Sequence, residues 1–118
     1  MVIKNEINPR DIVLANPMYP DQVESKIRPL LVISKSLFHQ NGDFFICVGI
    51  TTNKTTNPYL IPLPRKQVEN GQLDYDCQIM CNRIVTLNYN TITRKVAKIT
   101  KNMYKEVTDK INKDILEL

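Results

Sequence analysis

The sequence predicts a small, mainly β fold closed by a C-terminal helix, with the strands forming a strongly bent antiparallel sheet or barrel. Three observations lead there. Five to seven short apolar runs, rich in β-branched residues, alternate with polar turn-forming segments. Helical spacing of apolar residues is confined to the segment after Thr100. The chain of 118 residues is the length of one domain, 1–118, with room for a single modest core.

The elements follow in order. Asp11–Ala15 (DIVLA) reads as the first strand. The twelve residues of NPMYPDQVESKI hold two prolines and mixed charges, and must be a loop. Structureless connections of that length are more often functional or mobile than accidental. Leu30–Ser34 is a second strand, entered through Arg28 and Pro29 and apolar enough to be buried on both faces. A short turn or helix through KSLFHQ and a turn at Asn41-Gly42 lead into DFFICVGIT, a third strand. TTNKTTNP is polar loop. The prolines of YLIPLP restrict that extended run to an edge or a strand end. RKQVENGQLDYD reads as a second polar connection, CQIMCNRIVTL as a strand and RKVAKIT as the last one. Met103, Val107, Ile111, Ile115 and Leu118 then recur along one face of a helix, for which Thr100 or Asn102 is the N-cap.

Composition narrows the function classes. With 42% hydrophobic and 24% charged residues and only three glycines, the chain is globular rather than low-complexity. No apolar stretch nears the roughly 20 residues that span a bilayer, and MVIKNEINPRD has no apolar signal core, so a cytoplasmic protein away from membranes is expected. Cys47, Cys77 and Cys81 are odd in number and lie among apolar neighbours, which argues against a disulfide framework. A zinc site would have to recruit His39, the single histidine, and would still want a fourth ligand. Small buried hydrophobes are the better reading of the thiols, and no metal or cofactor is expected. From Cys77 to Lys105 six basic residues occur with no acidic one, which suits either a polyanionic partner or a plain solvated face.

Two short stretches carry possible chemistry. In SKIRP a cationic loop stiffens at Pro29, so Arg28 sits on a rigid platform suited to meeting a phosphate with two parallel hydrogen bonds. The competing use is an ion pair with Asp11 or Glu24. In GITTN (Gly49–Asn53) a strand ends in Thr51, Thr52 and Asn53, and Gly49 permits close approach of another chain. The competing reading is strand filler running into a polar turn.

Taken in order, DIVL, RPLLVIS and FFICVGITTN followed by strands and a terminal helix resemble the MazF/PemK family of toxin ribonucleases over nearly the whole chain. The resemblance implies an SH3-like barrel and a metal-independent endoribonuclease that cuts single-stranded RNA. In that family the arginine before the proline and the threonine ending the third strand form the active pair, which map to Arg28 and Thr51. Glu24, Lys26, Thr52, Asn53, Asn82 and Arg83 are the implied substrate-binding residues. A homodimer and an acidic, partly disordered antitoxin are the implied partners. Departures are visible too. Arg10 stands where the family usually has glycine, Asn82 stands where the Kid branch carries a carboxylate that assists proton transfer, and the common Gln-Ile/Pro-Arg-Thr segment becomes Arg83–Thr86. Two other readings remain open: a toxin on the same fold that binds DNA gyrase, as CcdB does, and a cleavage-inactive nucleic-acid-binding barrel.

Overall fold

The computed structural model describes residues 6–116 apart from 22, 24, 37, 39 and 40. Seven strands are followed by a helix: β1 (Asp11–Ala15), β2 (Arg28–Val32), β3 (Phe44–Thr51), β4 (Leu60–Leu63), β5 (Val68–Glu69), β6 (Cys77–Asn88), β7 (Ile92–Ile99) and α1 (Lys101–Lys110). They form one sheet in the order β4-β6-β3-β2-β1-β7-β5, with every neighbouring pair antiparallel.

Both faces of this sheet are buried, which explains the unbroken apolar runs of its middle strands. Successive strand residues point to opposite sides. Ile12, Leu31, Val48, Ile50 and Ile79 therefore meet Met103, Val107 and Ile111 of the helical segment on one face. Val13, Leu30, Val32, Phe45, Cys47 and Leu87 pack together on the other. The sheet can serve two cores because it bends. Between Val48 and Gly49 the partner on β6 jumps from Ile84 to Met80, so Cys81, Asn82 and Arg83 bulge out of the ladder.

β4 lies at the sheet edge, as its prolines require, with Pro62 opposite Gln78 of β6. The structure departs from the sequence reading at three places. β2 begins at Arg28 and ends at Val32; Ile33 and Ser34 leave the ladder, both donating to the Ile46 carbonyl. The connection after Pro64 contains a 3-10 turn and β5, whose two residues pair with Ile99 and Lys98 and are too few to show alternation. The last helix is regular only to Lys110, and Ile111–Ile115 winds on as a wider π turn.

Polar residues fix the ends of these elements. Asp11, 1% exposed, accepts from the Asn8 N–H at 2.8 Å and has the Lys95 and Lys98 ammonium groups each at 3.5 Å. A buried carboxylate requires such partners, and they remove Asp11 as the mate for Arg28. Arg10 has φ of 79°, the left-handed conformation that favours glycine and costs another residue roughly 1–2 kcal/mol. The glycine usual in the resembling family thus has a backbone reason. Here the conformation is held by the Arg10 N–H on Val32, the Ile99 N–H on Arg10, and an ion pair to Glu69 at 2.5 Å.

Thr100 is the N-cap of α1: its hydroxyl accepts from the Met103 N–H at 3.2 Å and donates to Gln67 Oε1 at 2.8 Å. Tyr104 donates from α1 to the Ile33 carbonyl at 2.6 Å, tying the helix to the end of β2. Thr100→Ala is expected to lower stability by about 1 kcal/mol, seen as a melting temperature roughly 4–5 °C below that of the parent protein.

Candidate active site

The site begins with the register of β2 against β3. Leu30 pairs with Gly49, Leu31 with Val48 and Val32 with Cys47. Carried two residues toward the start of β2, that register sets Arg28 opposite Thr51. Thr51 in turn pairs with Gln78 of β6, and Gly49 with Met80. By the two-residue period of strands, Arg28, Gly49, Thr51, Gln78 and Met80 all face the same side.

Arg28 is half-buried and its Nε is enclosed without a hydrogen-bond partner. Among the described residues no carboxylate pairs with it; Glu24, the other expected mate and an expected substrate-binding residue, lies outside them. Thr51 is half-buried, and its Oγ1 accepts from the Asn53 N–H at 3.1 Å. That bond occupies a lone pair and leaves the hydroxyl proton available for donation.

The long β1–β2 loop closes the other side. Tyr19 is buried against Gly49, and any Cβ added at that glycine would collide with the tyrosine hydroxyl and stand 2.6 Å from Met80 Cε. The close approach expected at Gly49 is therefore made by the chain's own loop. Arg83, aimed by the β6 bulge, places its guanidinium 4.9 Å from the centre of the Tyr19 ring. Its two terminal nitrogens donate to the Asp21 carboxylate at 2.8 and 2.7 Å. Asp21, Arg83 and Tyr19 thus clip the loop onto the sheet beside Arg28.

Charge states follow from these contacts. Burial raises the Tyr19 phenol pKa, and the Arg83 and Arg28 cations pull part of it back. The hydrogen bonds from Arg83 hold the Asp21 carboxyl below its ordinary value. Burial pushes the Cys47 thiol up to about 12 and Cys81 up to about 11, so neither supplies a thiolate nucleophile near neutrality. Among the described residues no cluster of three or more His, Cys, Asp or Glu could hold a metal ion.

The other expected substrate-binding residues fall around this centre. Lys26 is exposed in the loop before Arg28. Thr52 and Asn53 are exposed and, with Lys54 and Gln78, line a cleft of about 290 Å³ beside Thr51. The Gln78 amide, turned to donate, reaches the Asn53 and Thr55 carbonyls at 3.0 and 3.3 Å and so holds that loop. Asn82 is exposed within the bulge, next to Arg83. Tyr19, Asp21, Gln78 and Met80 were not expected from sequence. The available signal was a tyrosine in an otherwise polar loop together with a glycine inside an apolar strand.

This fold belongs to a known class. Residues 8–114 match the family of PemK-like, MazF-like toxins of type II toxin–antitoxin systems, and the chain is a member of that family. Solved structures agree on the fold. A MazE-MazF complex from Deinococcus radiodurans is 16% identical with a TM-score of 0.71, over 90% of this chain and 92% of that one. The Mycobacterium tuberculosis toxin MazF-mt6 is 16% identical with a TM-score of 0.69, over 87% and 93%. An endoribonuclease in complex with its cognate antitoxin, from a mycobacterial species, is 11% identical with a TM-score of 0.70, over 90% and 91%. A search of curated proteins finds no match. Among the described residues no helix is long and apolar enough to cross a membrane.

The loop clip has a pH signature. A carboxyl whose folded pKa is depressed contributes stability above its unfolded pKa and loses it as pH falls through the depressed value. The Asp21–Arg83 clip should therefore hold at neutral pH and open only below the ordinary carboxylate value of 3.8. An NMR titration of the Asp21 carboxyl should give a midpoint below 3.8, returning to it in Arg83→Ala.

Proposed function

We propose that this protein is a toxin endoribonuclease that cleaves single-stranded RNA without a metal ion, by attack of a ribose 2′-hydroxyl on the adjacent phosphorus to leave a 2′,3′-cyclic phosphate. The observation that carries the reading is the β2–β3 register, which carried to the strand ends sets Arg28 opposite Thr51, with no carboxylate among the described residues paired to the arginine. Membership of the toxin family and the fold shared with structures titled as endoribonucleases support it.

The chemistry needs little from the protein beyond position and charge. The nucleophile is part of the substrate, so a clamp that aligns the 2′-oxygen with the phosphorus removes much of the entropic barrier. Negative charge grows on the non-bridging oxygens as the P–O2′ bond forms and the P–O5′ bond breaks, the 2′ proton passing to solvent and the departing 5′-oxygen taking one from solvent. Arg28 is fixed by Pro29 at the head of β2, and its two terminal nitrogens form a planar fork that suits two such oxygens. The Thr51 hydroxyl, oriented by its bond to the Asn53 N–H, donates to the same group. The Asn82 amide is no base, so it can hold a substrate oxygen but cannot take the 2′ proton. Lys26, Arg83, Thr52 and Asn53 surround this centre and bind the flanking nucleotides.

As partners we assign a second copy of the chain and an acidic antitoxin laid over the site; fold neighbours include complexes titled MazE-MazF. An RNA substrate places the activity in the cytoplasm, and residues 1–118 act as one unit. A gyrase-binding toxin would leave the Arg28–Thr51 arrangement without a use.

Purified protein incubated with long single-stranded RNA in EDTA should yield fragments ending in a 2′,3′-cyclic phosphate. Arg28→Ala should lower the cleavage rate on the order of 10²-fold or more. Thr51→Ala should do likewise, while the exposed Thr52→Ala stays close to the parent rate. Undiminished cleavage by a folded Arg28→Ala protein would contradict the assignment. Asn82→Asp introduces a carboxylate where only an amide stands, and the rate should rise if proton removal limits it.

A further inference from the structure

We infer that the cleft beside Thr51 is a subsite that reads guanine, the Asp76 carboxylate accepting from the base N1–H and 2-amino group while the Lys54 ammonium meets O6. The inference rests on the nuclease reading above and deepens it, by naming a base next to the phosphate that is cut.

The cleft measures about 290 Å³, at the small end of the roughly 300–1,000 Å³ usual for small-molecule sites. That space suits one planar base rather than a longer ligand. Thr52 and Asn53, which line it, follow Thr51 directly in the chain, and Gln78, which also lines it, stands opposite Thr51 on β6. A nucleotide whose phosphate rests at Thr51 therefore has its base within reach of the cleft.

Both segments that form the cleft are held in place. The Gln78 amide donates to the Asn53 and Thr55 carbonyls at 3.0 and 3.3 Å, and the Asn53 N–H donates to Thr51 Oγ1 at 3.1 Å. Those bonds fix the stretch that carries Lys54. On the second segment the Arg65 N–H donates to Asp76 Oδ1 at 2.9 Å, and Arg65 Nη1 donates to the Asp74 carbonyl at 3.4 Å.

The charges decide what the cleft can take. Lys54 and Asp76 are both exposed and line one small space. Among the described residues neither joins an ion pair, so both charges remain available to a ligand. A phosphate or an acidic side chain would be repelled by the carboxylate. A neutral ligand with donors on one part of its edge and acceptors on the next satisfies both groups, and the bases of single-stranded RNA present such edges. Guanine fits best of the four. Its N1–H and 2-amino group are neighbouring donors for a carboxylate, and O6 beside them accepts from a lysine. Adenine, cytosine and uracil each offer a carboxylate donors on one nitrogen alone.

The test maps the cuts made by the parent, Asp76→Asn, Lys54→Ala and Arg28→Ala proteins in a random-sequence single-stranded RNA pool in EDTA. The quantity read is kcat/KM at sites with guanine beside the cut, relative to all other sites. The parent ratio is expected to be about 10- to 10²-fold in favour of guanine, and Asp76→Asn should lose most of it. Lys54→Ala should lower the ratio as well. Asparagine keeps the oxygen that accepts from the Arg65 N–H, so the melting temperature of Asp76→Asn should match that of the parent. In a defined oligonucleotide, inosine in place of that guanine deletes the 2-amino donor alone. It should slow the parent about tenfold and Asp76→Asn less than about twofold, the coupling that a direct contact produces.

A parent with no base preference or a preference for another base would overturn the subsite. So would a guanine preference that survives in Asp76→Asn, or an inosine effect equal in both proteins. In each of these cases impaired cleavage by Arg28→Ala leaves the nuclease reading standing. A parent protein that leaves every RNA intact would overturn the nuclease reading and this inference with it.

Discussion

Leu30 lies opposite Gly49, and the placement of Arg28 against Thr51 depends on that pairing. A slip of one residue in a strand exchanges its two faces. Leu30 and Val32 would then enter the core under α1, Leu31 would leave it, and Arg28 would turn away from Thr51. Burial of both faces makes the slip expensive, because neither face is free to accept the wrong side chains. The arginine is placed by hydrophobic packing a few residues away, and none of the described carboxylates pairs with it. That separation matters for the proposed chemistry, because a guanidinium anchored by a carboxylate would be partly neutralised.

The order of elements was readable in the chain because its strong signals agree. Pro29 and the LLV that follows it, the apolar FFICVGI, the prolines of β4 and the helical stripe ending in Ile111 and Ile115 each name their element by local pattern. β5 escaped because two residues have no period, and the bulge at Cys81–Arg83 escaped because an insertion in one strand is defined only against its partner. Part of the site was equally legible. Arg28 beside a proline and Thr51 at a strand end are linear features, and the antiparallel register joins them. Tyr19 and Asp21 are brought in by a loop of mixed composition, where position depends on long-range contacts with Gly49 and Arg83 that no local pattern encodes.

The basic block shows how charge counting misleads. Six cations with no anion between Cys77 and Lys105 suggest an open positive surface. In the fold Lys95 and Lys98 flank the buried Asp11, Lys105 pairs with Asp109, and Arg83 is held by Asp21. Among the described residues Arg94 and Lys101 are the members of the block that form no ion pair. Among the described residues the positive character left near the site is therefore local, centred on Arg28 with Lys26 before it.

The Arg28 guanidinium, paired with no described carboxylate, is proposed to meet a phosphate of the substrate. The direct measurement is the ¹H–¹⁵N signal of the Arg28 Nε–H during titration with a mixed-sequence oligonucleotide whose 2′-hydroxyls are replaced by hydrogen, so that it binds without being cut. A saturable downfield shift of the Arg28 signal is expected, as a charge-assisted hydrogen bond to the guanidinium produces, with the Glu69-paired Arg10 unmoved. Binding that shifts Arg83 or other cations while the Arg28 signal stays in place would contradict it.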